Sequence, residues 1–162
     1  MPAERMAAMK KNRLGWTVAG TGIAGVLATV VAIWQPWHSV LSADATDSRL
    51  VAEGRAVYAA RCASCHGEEL EGQPNWRERM PNGRLPAPPH DAGGHSWHHS
   101  DRQLFTITKN GVAGVVAGYQ SDMPAFKDVL SDRQIWAVLA YIKSRWPEQI
   151  RERQQQLNRV AK

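Results

Sequence analysis

Cys62-Ala63-Ser64-Cys65-His66-Gly67 decides the reading of this 162-residue chain. Its two cysteines stand three positions apart, and a histidine follows the second at once. C-x-x-C-H is the attachment signal for haem c. The chemistry needs that order. Two thiols at this spacing reach the two vinyl-derived carbons on one edge of the macrocycle, and the next residue presents imidazole to the iron. A covalent hold keeps a flat, apolar group in a domain too small to enclose it by packing alone. A lone disulfide would use both cysteines and leave His66 unexplained. A thioredoxin-like redox pair wants a βαβ context, which the sequence lacks. Zinc would need a further ligand in place. The expectation is one haem c per chain, attached through Cys62 and Cys65, with His66 on the iron.

The surroundings of the motif read as helical. From Asp47 to Ala60, the residues Leu50, Val51, Gly54, Val57 and Tyr58 share a face at spacings of three and four. Gly54 costs helix propensity there, which implies that another helix crosses closely. Residues 67–99 are crowded with Pro74, Pro81, Pro86, Pro88, Pro89, Gly72, Gly83, Gly93 and Gly94, so no regular period survives. Ser100 is placed to cap a helix that runs to Asn110 and ends at Gly111. Gly111 to Phe126 is loop-like. Ser131 with Gln134 three residues on is a capping box, opening a helix whose apolar face is Ile135, Val138, Leu139 and Ile142. Pro147 breaks it. The polar stretch 148–162 carries Ile150, Leu157 and Val160 at weakly amphipathic spacing, either to dock on a partner or as a solvated end. The sum is an all-α domain of three to five helices. Strand alternation, phosphate-binding loops, dinucleotide turns, nucleophile elbows and H-E-x-x-H are absent, as are internal repeats.

Leu14 to Trp34 contains 21 residues without a charged side chain, about 31 Å of helix at 1.5 Å per residue. Trp16 and Trp34 stand near its ends, and Lys10, Lys11 and Arg13 precede it. A cleaved signal peptide, with Ala43-Asp44-Ala45 as the processing site, is the alternative. The expected organisation is a cytoplasmic basic tail at 1–13, a single transmembrane anchor at 14–34, a tether at 35–46, a haem domain at 47–146 and a charged tail at 147–162. That places the protein in a bacterial inner membrane, single-pass, with the haem domain in the periplasm. Lys and Arg number 20 against 15 Asp and Glu, but residues 1–13 hold four of the bases and one acid. The basic pI is thus a feature of one end, and no nucleic-acid partner is expected.

Gly54 and Tyr58 before the motif, the motif itself, the Asp122-Met123-Pro124 loop and an aromatic-bearing last helix together resemble class I (monohaem) cytochrome c over Asp47 to Trp146. Pro74-Asn75-Trp76 through Pro88-Pro89-His90, and Gly94-His95-Ser96-Trp97-His98-His99, are similar to a subgroup of bacterial membrane-anchored c-type cytochromes. The resemblance implies a class I fold wrapped around one haem. It also implies that a loop proline's carbonyl receives the other nitrogen of His66; Pro88 is the choice, Pro89 the alternative. It further places Trp97 and His98 at the haem edge near the propionates; Arg77 and Trp76 are, apart from the resemblance, the candidates to reach a propionate. For the second axial ligand, Met or His is expected. Met123, in a loop 57 residues after His66, is preferred to Met80, which follows by only 14. His90, His95, His98 and His99 read as surface or haem-rim groups, with bis-His ligation or zinc or copper binding as the rival.

Two filled axial positions leave no open site for oxygen or peroxide, so the expected function is outer-sphere transfer of single electrons, without enzymatic turnover of its own. The expected partners are electron-donor and electron-acceptor proteins of a respiratory chain: a membrane oxidase, a quinol-oxidising complex or a dehydrogenase. The main expectation is a membrane-anchored carrier. The alternatives are a haem c subunit of a larger respiratory or dehydrogenase complex, and a catalytic or sensory haem protein with a labile sixth ligand.

Overall fold

Asp47 begins the first helix, its carboxylate accepting from the N–H groups of Arg49 and Leu50 at 2.9 and 3.1 Å. This computed structural model describes residues 42–161. Helix α1 runs Ser48–Arg61 and the single-turn α2 runs Ala63–His66. A long loop containing a 3-10 turn, Ser96–His98, leads to α3, Asp101–Asn110. A second 3-10 turn, Val112–Gly114, precedes α4, Asp132–Ser144, and α5 spans Glu148–Val160. No strand occurs among the described residues. Ser100 caps α3, and the Ser131–Gln134 box caps α4 in both directions. These caps stand where the sequence placed them because side-chain oxygens at those positions satisfy otherwise orphaned N–H groups.

The main contact is α1 against α4. Gly54 lies where they cross: a Cβ built on it would stand 1.9 Å from the Ala137 carbonyl oxygen and 3.0 Å from Tyr141 Cβ. Around that crossing Leu50, Tyr58, Ile135, Val138 and Ile142 are buried, joined by Leu70 and Trp146. Phe105 of α3 stacks on Trp136 of α4 with centroids 4.3 Å apart. The loop between α2 and α3 is irregular but closely tied. Gly72 N–H donates to His66 O (2.7 Å), Gln73 N–H to Ala87 O (2.9 Å) and His90 N–H to Leu70 O (2.7 Å). Its returning limb is thereby laid beside the haem motif.

The polar C-terminal stretch is helix α5, and it docks on its own domain through polar groups. Gln154 is fully buried; its Nε2 donates to Asp101 Oδ1 at 2.7 Å and to His99 O at 3.1 Å. Lys143 Nζ donates to both Asp101 oxygens, at 2.8 and 2.7 Å, and Asp101 N–H donates to Asn158 Oδ1. The apolar spacing was a poor guide here: Leu157 and Val160 are exposed, and only Ile150 packs on the core.

One expectation is corrected. The fold was to include a single transmembrane helix, and the protein to be a single-pass inner-membrane chain with a periplasmic haem domain. Among the described residues no helix is long and apolar enough to cross a membrane. The longest, α1, has 14 residues, about 21 Å against a hydrocarbon core of about 30 Å, and its outer face carries Arg49, Glu53 and Arg55. The stretch 14–34 that prompted the expectation lies outside the described residues, as do the 1–13 tail and residues 35–41 of the tether.

Two stability predictions arise from this packing. Gly54→Ala gains helix propensity of up to about 1 kcal/mol, but its methyl group meets a backbone carbonyl that cannot yield. A net loss of about 2 kcal/mol is expected in denaturant unfolding, and unchanged stability would refute the close crossing. Lys143→Met alone leaves the partly buried Asp101 without its cation and is expected to cost about 2 kcal/mol. Combined with Asp101→Asn it is expected to cost less than the two single changes added, and strict additivity would count against the coupling.

Candidate haem-binding site

The motif sits on the one-turn helix α2, immediately after α1. Cys62 N–H still bonds to Tyr58 O at 2.8 Å, and His66 N–H to Cys62 O at 2.9 Å. Gly67, at φ +80°, then turns the chain sharply; its carbonyl accepts from Tyr58 Oη–H at 2.8 Å. One end of the motif is thus continuous with α1, and the other is pinned back to it. Neither cysteine is in a disulfide. Cys65 is exposed and Cys62 partly buried, and burial, with Cys65 nearby, pushes the Cys62 thiol up to about 11. A thiol so placed is protonated at neutral pH, unlike the low-pKa cysteine of a disulfide oxidoreductase.

His66 is buried, and its Nδ1 lies 2.8 Å from Pro88 O. A carbonyl has no proton to give, so Nδ1 carries the hydrogen and Nε2 keeps its lone pair. Burial also lowers the proton affinity of the ring, against the opposing pull of the Pro88 bond, keeping the neutral, iron-binding form. Two free thiols, a tautomer fixed toward ligation and a short covalent spacing fit haem c, which this motif attaches through Cys62 and Cys65.

His90 is the site neighbour that sequence reasoning missed. It was grouped with the rim histidines, but its ring stacks on His66 with centroids 4.0 Å apart and planes at 23°. Its Nδ1 meets Ser96 Oγ at 2.5 Å, and its carbonyl accepts from Trp146 Nε1 at 2.7 Å. Burial, followed by the His66 charge, holds its pKa well below the usual imidazole range. The available signal was position: a residue two beyond Pro88 is delivered to the back of the ring that Pro88 holds.

The remaining expected residues fall into two groups. Met123 is half-buried against the core, in a loop where its N–H donates to Ser121 Oγ at 3.1 Å and the preceding Asp122 pairs with Arg84. Met80 sits in a turn closed by Gly83 N–H to Met80 O and Met80 N–H to Arg84 O, lining an open groove of about 400 Å³ with Gln73, Pro74, Glu78 and Pro86. Trp76, Arg77, Trp97 and His98 gather around His95 and the 3-10 turn. The Arg77 guanidinium lies 4.1 Å over the Trp76 ring. Trp97 stacks on His98 at 3.7 Å, and its indole N–H donates to Ala92 O at 3.2 Å. Among the described residues no cluster of three or more His, Cys, Asp or Glu side chains is arranged to hold a metal ion.

Comparison with known proteins places this geometry in a lineage. A family model described as cytochrome C oxidase, cbb3-type, subunit III matches residues 49–142, more than half of the chain, from α1 to the end of α4. A cytochrome bc1 complex cytochrome c subunit of Corynebacterium efficiens is 38% identical over 79 residues, covering 43% of this chain. The matched region is 26% of that protein, so the chain spans about a quarter of its relative. No solved structure matches the chain. With the C-x-x-C-H turn, the tautomer-fixed His66 and the α1–α4 crossing all inside the matched region, the chain belongs to the cbb3-type cytochrome c oxidase subunit III family of c-type cytochromes.

Proposed function

We propose that the chain is the haem c electron-transfer subunit of a larger respiratory complex, receiving single electrons from one protein partner and passing them to another. The observation that carries this reading is the 2.8 Å contact of His66 Nδ1 with Pro88 O, which leaves Nε2 as a preset axial donor beside two attachment thiols. When bound, haem supplies reversible one-electron exchange between ferric and ferrous iron. Cys62 and Cys65 would hold it, His66 Nε2 would be one iron ligand, and the Met123 thioether would be the second in a class I arrangement. His/Met ligation would leave no position for a substrate, which fits the role of a carrier rather than a catalyst.

The membrane-anchored carrier expected from the sequence gives way to this reading. No described helix is suited to cross a membrane, and the family and relative are both named as subunits of multi-protein respiratory enzymes. Those names support an oxidase or a quinol-oxidising complex as the source or sink of electrons. A fixed subunit gains over a diffusing shuttle because a short distance between redox centres is built in once by assembly.

Isolation of the tagged, haem-loaded chain from its own cells tests the assembly. Oxidase or quinol-oxidising subunits are expected with it in fixed stoichiometry, and recovery of the chain alone would contradict the proposal. Met123→Ala is expected to abolish the near-infrared methionine-to-iron band and lower the midpoint potential by on the order of 0.1 V. The same losses in Met80→Ala, with Met123→Ala unchanged, would move the ligand to Met80.

A further inference from the structure

His95 and His99 flank the 3-10 turn Ser96–His98 as its two cap residues, and their Nε2 atoms stand 3.0 Å apart. Their rings meet edge to face, with centroids at 4.7 Å and planes at 82°. The tight 3-10 turn, with His99 leaving it in extended conformation, folds the two imidazoles onto each other. Two nitrogens each about 2.0–2.1 Å from one metal ion, at an angle between square and tetrahedral, are separated by about 2.9–3.4 Å. The observed separation falls inside that interval, near its square end.

We propose that His95 and His99 form a two-imidazole surface site for a borderline divalent metal ion, Cu2+ above all, with water completing the coordination shell. His95 is exposed, so an ion reaches the pair directly from solvent. No carboxylate takes part in the hydrogen bonds or ring contacts of the pair, so hard ions such as Ca2+ and Mg2+, which need oxygen ligands, are disfavoured. Neutral imidazoles select instead along the series that peaks at Cu2+, and the near-square separation suits its tetragonal preference better than the tetrahedral preference of Zn2+. Arg77, close to the Trp76 ring that faces His95, adds positive charge and keeps the affinity moderate. His98 stacks beside His95 at 5.5 Å and against Trp97, an arrangement that turns its faces, not its nitrogens, to its neighbours. The site is separate from the iron: His66 is engaged with Pro88 and His90, and none of the contacts of His95 or His99 includes it.

The test uses the full chain with haem attached and in the ferric state, so that added Cu2+ does not oxidise the iron. Cu2+ is titrated in, and the bound ion is followed by electron paramagnetic resonance, with pulsed methods counting the coupled imidazole nitrogens. One copper per chain with two imidazole nitrogens is expected. His95→Ala and His99→Ala are each expected to weaken binding by about tenfold or more and to leave one coupled nitrogen, while His98→Ala keeps both. The haem absorbance of each variant reads whether the fold around His66 persists, and the glutamine variant at the same position replaces any alanine variant that disturbs it. Binding unaffected by His95→Ala and His99→Ala, equal loss in His98→Ala, or no stoichiometric copper would each overturn the site. A plain imidazole–imidazole hydrogen bond predicts the last of these. Zn2+ that displaces the copper only in large excess supports the assigned preference, and Zn2+ binding more tightly than Cu2+ overturns it.

Discussion

The hydrogen bond from His66 Nδ1 to the Pro88 carbonyl constrains more of this protein than any other single contact. It spans 22 residues of chain, so the loop between α2 and α3 must fold back to deliver one carbonyl to one nitrogen. The limb after the motif and the returning limb pair through Gln73 with Ala87 and Leu70 with His90, which makes that return a built feature of the loop. Proline suits the acceptor position because it needs no partner for an N–H of its own. The bond fixes the tautomer and orientation of the ring, and His90 closes the space behind it, anchored in turn by Ser96 and Trp146. Groups of this kind, one shell out from a ligand, set how strongly it binds and how it is held.

The helical frame serves the same end. Tyr58 lies at the α1–α4 crossing, where its ring is 5.4 Å from Tyr141, and its hydroxyl holds the turn after His66. The closeness allowed by Gly54 therefore positions the motif as well as packing the core. At the far end of α4, Trp146 is buried and donates to His90 O. Helix α5 adds its clasp at Asp101, the first residue of α3, where Lys143, Gln154 and Asn158 converge. Helices α1 and α4 and the loop between α2 and α3 thus all bear on one short turn of chain.

Much of this was legible in the sequence, for local reasons. A helix opens at Asp47 as expected, Ser100 and Ser131 cap theirs through bonds to residues three positions on, and the C-x-x-C-H chemistry is written in five consecutive residues. Gly54 announced a close crossing because its cost in a helix needs a reason. What stayed hidden depends on contacts between distant residues. His90 looks like its neighbours His95 and His98 until the loop's return sets it against His66. Helix α5 read as a partner-docking segment or a solvated end because docking was sought in apolar spacing, whereas Gln154 is held within its own domain by polar partners 53 and 55 residues away. The membrane-crossing expectation came from an uncharged run that lies outside the described residues, and the helices that are described lack the length for it.

On the proposed function the haem iron would be closed on both faces and would exchange electrons without binding small molecules. Exposure of the fully reduced, haem-loaded chain to carbon monoxide tests it most directly, because ferrous haem with an open or weakly held sixth position captures the gas at once. The absorbance spectrum is expected to stay unchanged over minutes, because protein groups would fill both axial positions. Rapid conversion to the carbonyl form would contradict it and would point instead to a catalytic or sensory haem.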